Sequence, residues 1–469
     1  MKYVALFVTF AWFYQAGGWN QNSRFDLVRA IVEERTLAID DYHHNTGDKA
    51  RWNGHYYSDK APGLALAAVP AVAAARPFTA DVAWLSWLAT LVTAALPTAL
   101  AAFLLHRIAR RLGATDGGAT FAALVLGLAT PAWAYATLFF GHALAAFCLV
   151  AAFAAAVRLP TSARPFLLGL GAGLAVGWGT LTEFPTAPAG LLVCAFAVAH
   201  AGPRRVRAAA GIAAGGLLAV GALMAYDVAA FGAPFQTGYA HVEGFGGMKE
   251  GFMGVTWPKL DVLGEITFGG YRGLFFFAPV LVLAPIGWAR GPRRAGAVGA
   301  AIVVYYLLFN AAYKYWTGGW SFGPRHIAPA LPFLALPLAF AWSRGRTPLR
   351  ALLVAAALVS GAIELVAVST TAQPPENVRR PLGELLWPAF RDGDLSLNHQ
   401  SFLEAGADPA RLRGGSLAHD AWNLGEKMGL RGLASLVPLA GVWAAALVID
   451  VVVRRRRGAW RSRTAAPPS

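Results

Sequence analysis

Charge is scarce in this 469-residue chain: 14% of its residues are Asp, Glu, Lys or Arg, against 57% hydrophobic. So apolar a chain of this size cannot fold as a water-soluble protein. Acids are scarcer still on one set of connections between the apolar runs. Lys2, Arg107, Arg110, Arg111, Arg158, Arg164, Arg204, Arg205, Arg207, Arg290, Arg293, Arg294, Arg344, Arg346, Arg350 and the arginines from 454 onward share those connections with a single acid, Asp116. Cysteine is nearly missing, and Cys148 and Cys194 both lie inside apolar runs, where cysteine behaves as a small hydrophobe. That excludes a disulfide framework and a cysteine metal site. HExxH, P-loop and GxSxG patterns are absent, which removes the zinc-protease, P-loop nucleotide and nucleophile-elbow readings. Neither a metal nor a cofactor is expected.

What is present is a near-continuous series of apolar runs of the length, about 17 to 25 residues, that carries an α-helix across a bilayer. The fold class expected is all-α: a polytopic membrane bundle of about twelve helices, near 3–19, 82–105, 118–138, 141–158, 166–182, 187–201, 208–230, 274–289, 297–314, 327–342, 351–370 and 432–453. This placement puts every basic connection on one side, the positive-inside pattern, with both termini cytoplasmic in a bacterial inner membrane. The formal net charge of +15 is then topology, and no nucleic-acid partner is needed. The basic tail 454–469 reads as an anchor on anionic lipid. Lys2 and the apolar stretch after it resemble a signal peptide, but without a clean cleavage site they read as an uncleaved first helix.

The whole chain, 1–469, reads as one membrane domain with three large outer regions, 20–81, 232–273 and 371–431, forming a cap over the bundle. The stretch GYAHVEGFGGMKEGFMG looks like a mobile part of that cap. Two interfacial helices are expected in the first region. Over Arg24–Glu34, Phe25, Val28, Ile31 and Val32 recur at helical spacing with Asp26, Arg29 and Glu33 opposite; the segment 63–75 is too short to cross.

The polar island from Asn20 to Gly63 follows the first helix, and a Lys-Ala-Pro-Gly run (Lys60–Gly63) leads into the next apolar segment. With Phe140-Gly141-His142, Thr182-Glu183-Phe184-Pro185 and GGWSFGPRHIAPALP from Gly318, this layout resembles the polytopic C-type (GT-C) glycosyltransferases that use polyprenyl-phosphate-linked sugars. It is close in pattern to the protein O-mannosyltransferase and aminoarabinose-transferase branches. The resemblance implies that Arg24 and Lys60 bind the donor phosphate. It also implies an Asp-Glu pair just after the first helix, where this chain has Gln21 and Asn22, and a second carboxylate where it has His142.

Independently of the resemblance, a polyprenyl-phosphate donor holds its phosphate at the outer headgroup level and needs cations there. Arg24, Lys60, Arg272 and Arg325 have that depth. Phosphate leaves as a stable anion, so charge neutralisation outweighs acid help at the leaving group, and the remaining requirement is a base for the acceptor hydroxyl. Asp26 and Asp59 lead as candidates for that base. Ser23-x-x-Asp26 also fits a helix capping box, and Asp59 also fits a neutraliser of Lys60 or a charge at a helix start. His142 sits at a helix mouth, as a functional or a hydrogen-bonded structural histidine. Glu183 closes an apolar helix, where an acid is costly unless paired or wet. Arg325 fits a phosphate ligand or a side chain snorkelling to headgroups. Asp40 and Asp41, ahead of Tyr42-His43-His44, fit an acceptor or metal site or a solvated turn. Trp19, Tyr56, Tyr57, Trp316 and Trp320 fit a membrane-interface belt or a sugar-stacking surface.

The function expected from the resemblance is transfer of a hexosyl or pentosyl group from polyprenyl phosphate to a glycan, lipid or protein acceptor on the outer face. The alternatives are a transporter or flippase of a lipid-linked sugar and a non-catalytic, carrier-binding member of the fold. Transport is disfavoured by the absence of a repeat and by the placement of Glu183, Asp227, Lys314, Glu364 and Asp450 toward segment ends.

Overall fold

The computed structural model describes residues 1–398, 400 and 420–464. Parts of the 371–431 region and of the 454–469 tail therefore lie outside the described residues. Eight described helices are long and apolar enough to cross a bilayer: Val82–Arg111, Gly141–Thr161, Pro165–Thr182, Gly202–Phe231, Arg293–Ala312, Arg325–Ser343, Thr347–Thr370 and Gly432–Asp450. Shorter apolar helices, Lys2–Ala11, Asp116–Leu128, Thr186–His200 and Pro279–Arg290, occupy the other four expected crossings. At 1.5 Å per residue each covers only part of the roughly 30 Å hydrocarbon layer. The chain is a multi-pass helical membrane protein.

In chain order the first elements are α1 (Lys2–Ala11), β1 (Phe13–Tyr14), α2 (Trp19–Arg29), β2 (Lys49–Trp52), β3 (His55–Ser58) and α3 (Gly63–Ala75). After them come α4 (Val82–Thr90), α5 (Leu96–Arg111), α6 (Asp116–Leu128), α7 (Ala132–Ala136), α8 (Gly141–Arg158), α9 (Pro165–Thr182), α10 (Thr186–His200) and α11 (Arg205–Phe231). Short antiparallel pairing of β1 with Trp422–Asn423 ties the end of the first helix to a distant segment.

Small residues set the closest helix contact. On α9, Gly169 and Gly173 lie against the backbone of Ala208 and Ile212, and on α11, Gly211 and Gly215 lie against that of Phe166 and Leu170. A Cβ at any of the four would strike a carbonyl oxygen, so the four-residue spacing of glycines works here as it does in small-residue membrane interfaces.

The first outer region differs from expectation in one respect. Helix α2 starts at Trp19, not near Arg24, and a widened turn continues it over Ala30–Glu34. Ser23 and Asp26 are therefore mid-helix, which overturns the capping-box reading. Residues Gln21 to Val28 are all buried; the helix is embedded in the cap rather than floating at the interface with a wet face. The apolar helix α3 packs on α2, α4 and α9.

Candidate active site

A hairpin brings the first acids together. Asn53 and Gly54 both take positive φ, 50° and 88°, the conformation that favours a two-residue turn between twisted strands. That turn fixes the register Lys49↔Ser58, so Asp48 and Asp59 flank the open end of the ladder. Lys60 lies between them: its Nζ is 2.9 Å from Asp48 Oδ2 and 3.1 Å from Asp59 Oδ2. Burial pushes the Asp59 carboxyl up to about 6, Lys60 pulls it back down and Asp48 raises it further. Burial alone would lower the Lys60 ammonium, but the two carboxylates outweigh it and hold it above the ordinary lysine range. An ammonium has three protons, and these two partners leave one.

Arg24 occupies the neighbouring position, buried at 2% exposure. Its Nη2 donates to Glu183 Oε1 at 2.7 Å, its Nη1 to the carbonyls of Ala61 and Thr182, and its Nε to Asn20 Oδ1. Two glycines make this meeting possible. A Cβ at Gly63 would fall 2.6 Å from the Leu181 carbonyl carbon, and one at Gly141 would strike Glu183 Oε1. The start of α3, the start of α8 and the end of α9 therefore converge on one point. His142, one residue into α8, places Nδ1 3.9 Å from Glu183 Oε1.

The second wall comes from the segment after Gly318. Gly318, Gly319 and Gly323 all have positive φ and bend this loop back on itself. Arg272 holds the bend: fully buried, it donates to the carbonyls of Thr317, Gly319 and Ser321 and to the Tyr271 hydroxyl. Its guanidinium is engaged in structure. Arg325 differs. It lies over the Phe140 ring, 5.3 Å from the centroid; its Nε is buried without a hydrogen-bond partner, and no ion pair among the described residues engages it. His326, next in sequence, approaches His142 edge-on at 6.0 Å between ring centroids. Both Lys60 and Arg325 act electrostatically on Tyr313 and on His326, so the two cations share one neighbourhood. Tyr239 faces Lys60, Asp59 and Glu183, because Gly238 packs directly on Ser58 and Asp59.

The residues standing where the family pattern has acids are amides with structural bonds. Gln21 Nε2 donates to Gln373 Oε1 at 2.5 Å, and Asn22 bridges the Gly18 amide and the Asn45 carbonyl. Asp26 stands apart from Lys60, fully buried and accepting from Asn45 Nδ2 at 2.9 Å. Burial pushes its carboxyl well above the usual range, with Asn45 and Arg29 opposing. Asp40 accepts from the Tyr56 amide and from His55 Nδ1, bracing the hairpin. No group of three or more His, Cys, Asp or Glu among the described residues is arranged to hold a metal.

Of the expected site residues, the structure brings Arg24, Lys60, Asp59, Glu183, His142 and Arg325 together; Asp26 bonds to Asn45 instead, and Arg272 is engaged by the carbonyls of the loop that leads to Arg325. Sequence reading missed Asp48 and Tyr239. Asn53-Gly54 was the available signal for Asp48, since a two-residue turn there pairs position 49 with 58 and so sets 48 opposite 59.

No protein-family model matches the chain, and no curated protein matches it. Solved structures do match it, among them two forms of one protein. ArnT from Cupriavidus metallidurans bound to undecaprenyl phosphate superposes with a TM-score of 0.55 at 18% identity, covering 84% of this chain and 69% of that one. The apo form of the same protein gives 0.52 at 17% identity, covering 75% and 60%. This chain thus spans about three-fifths to two-thirds of the length of its structural neighbour. At that identity the likeness establishes architecture, and the architecture is the GT-C fold.

Proposed function

We propose that this protein is a membrane glycosyltransferase that moves a sugar from a polyprenyl-phosphate donor to an acceptor hydroxyl on a glycan, lipid or protein. The reaction takes place on the outer face of a bacterial inner membrane, and both termini are cytoplasmic. The observation that carries the reading is Arg325, a guanidinium without an acceptor, in the same neighbourhood as Lys60, whose third proton is left over by Asp48 and Asp59. Two cations with unmet donors at the outer mouth suit one phosphate. The polyprenyl phosphate held by the structural neighbour supports the same ligand class.

In this reading Lys60 and Arg325 neutralise the leaving phosphate, while Arg24 and Arg272 hold the segments that carry them. Asp59 is the base. Its carboxyl at about 6 lies near working pH, where a general base combines ionisation with driving force. The acceptor oxygen bonds to the anomeric carbon as its proton passes to Asp59. The bond from that carbon to the phosphate oxygen breaks, the electron pair leaves with the phosphate, and the anomeric centre inverts. Glu183 and His142 border the sugar.

The test is release of polyprenyl phosphate from a panel of polyprenyl-phosphate hexoses and pentoses by protein in nanodiscs. Lys60→Gln and Arg325→Gln are each expected to reduce release by about 10²-fold or more, the order lost when one donor to a developing charge is removed. Normal release in both variants would sink the assignment. Tight binding of the lipid phosphate with no sugar release from any donor would favour the non-catalytic reading, to which the amides Gln21 and Asn22 point.

A further inference from the structure

Helix α8 begins beside the candidate active site and ends at Arg158, about 27 Å away at 1.5 Å per residue. At that far end lies a cleft of about 580 Å³, lined by Arg111, Arg158, Arg164, Ser162, Leu167 and Leu168 among others. Its volume falls in the roughly 300–1,000 Å³ range of ligand clefts. Three elements contribute its cations: the end of α5, the end of α8 and the residue before α9.

The floor of this cleft is braced. Arg111 donates through Nε to the Val157 carbonyl and through Nη2 to Thr161 Oγ1, and Arg204 donates through Nη1 to the Pro160 carbonyl at 2.7 Å. Arg158 and Arg164 are treated differently. Both are exposed, and among the described residues their hydrogen bonds run through backbone atoms only. Asp116, the one acid expected on this face, pairs with His106 instead. One wall of the cleft is apolar and belongs to a spanning helix, where Leu167 is 54% exposed.

We propose that this cleft binds the phosphodiester headgroup of an anionic membrane lipid, with Arg158 and Arg164 on the phosphate and the acyl chains running along Leu167 and Leu168. A merely topological arginine needs no cavity and no braced turn beneath it. Basic pockets between membrane helices with an adjoining lipid-facing wall are suited to such headgroups. A free phosphate compound shares the charge chemistry but leaves the apolar wall unused.

The test uses the full chain in nanodiscs of phosphatidylcholine doped with phosphatidylglycerol, with retained lipid counted by native mass spectrometry. Each arginine near an anionic headgroup contributes about 1 kcal/mol, so R158Q/R164Q is expected to lower phosphatidylglycerol retention roughly thirtyfold, at 1.4 kcal/mol per decade. The control R293Q/R294Q removes two basic residues from another connection of the basic set and is expected to retain lipid as the unmodified chain does. An equal loss in that control would reduce the effect to a general basic belt and overturn the proposal. So would equal retention of both lipids by the unmodified chain. Inorganic phosphate is the third arm: binding that depends on Arg158 and Arg164 in pure phosphatidylcholine, without discrimination between lipids, would overturn the lipid assignment. An unchanged melting temperature in R158Q/R164Q, expected for two exposed side chains without side-chain bonds, shows that the fold is intact.

Discussion

Removing Asp48 while keeping Asp59 isolates the electrostatics of the proposed base. The Asp48 and Asp59 oxygens that share Lys60 Nζ lie 2.9 and 3.1 Å from it, so they are no more than about 6 Å apart. Two like charges at that separation repel by about 3 kcal/mol at an effective dielectric near 20. That corresponds to roughly 2 pH units at 1.36 kcal/mol per unit, and the intervening ammonium reduces it to about 1 to 2. The sign follows from which form works. Asp59 acts as a base only when ionised, and its carboxyl is pushed up to about 6, so transfer is present above that pH and lost as pH falls through it. Asp48→Asn removes a group that raises Asp59, and the acid limb of kcat/KM should move down by about 1 to 2 pH units. Asp59→Asn should abolish the limb and lower the rate by about 10²- to 10⁴-fold. The measurement is release of polyprenyl phosphate from the productive donor between about pH 4 and 8, the window that brackets ordinary and raised carboxylates. A limb that stays in place in Asp48→Asn, or that survives in Asp59→Asn, would refute the reasoning.

Arg24→Ala breaks an ion pair in which the arginine is 2% and Glu183 14% exposed, and it leaves the Ala61 and Thr182 carbonyls without that donor. It should lower unfolding stability by about 3 kcal/mol and abolish transfer, whereas Arg24→Lys keeps the charge and recovers part of the stability. An unchanged melting temperature with only a raised donor KM would make Arg24 a direct ligand of the donor rather than a brace. Asp26→Asn keeps an oxygen for Asn45 Nδ2 and removes a buried acid. Because the Asp26 carboxyl is pushed up by burial, its stabilising contribution is present at low pH and lost as pH rises through its folded value, so the variant should be at least as stable as the parent at neutral pH. Transfer should persist; its loss at unchanged stability would restore Asp26 as a base.

The expected depth of each charged residue is written locally in the sequence, but its availability is not. Arg24, Lys60, Arg272 and Arg325 follow or precede apolar runs, and hydropathy alone sets them at the outer mouth. Which of them has donors to spare depends on segments far away. Arg24 is occupied by Glu183, 159 positions later, through approaches that only Gly63 and Gly141 permit. Arg272 is occupied by carbonyls that three positive-φ glycines turn inward, and no side-chain pattern announces a backbone acceptor. Asp48 was within reach, since Asn53-Gly54 and period-two pairing set it opposite Asp59, but the string around it reads as an ordinary polar connection. The amides Gln21 and Asn22 show the converse: their identity is plain in the sequence, yet only Gln373 and Asn45 reveal them as struts. An acid at Gln21 would set a carboxylate against the Gln373 Oε1 that now accepts its bond, and two acceptors cannot satisfy one another. The departure from the family pattern is therefore built into the packing of this cap, and the proposed function places the base on another segment, the one that carries Lys60 and its two carboxylates.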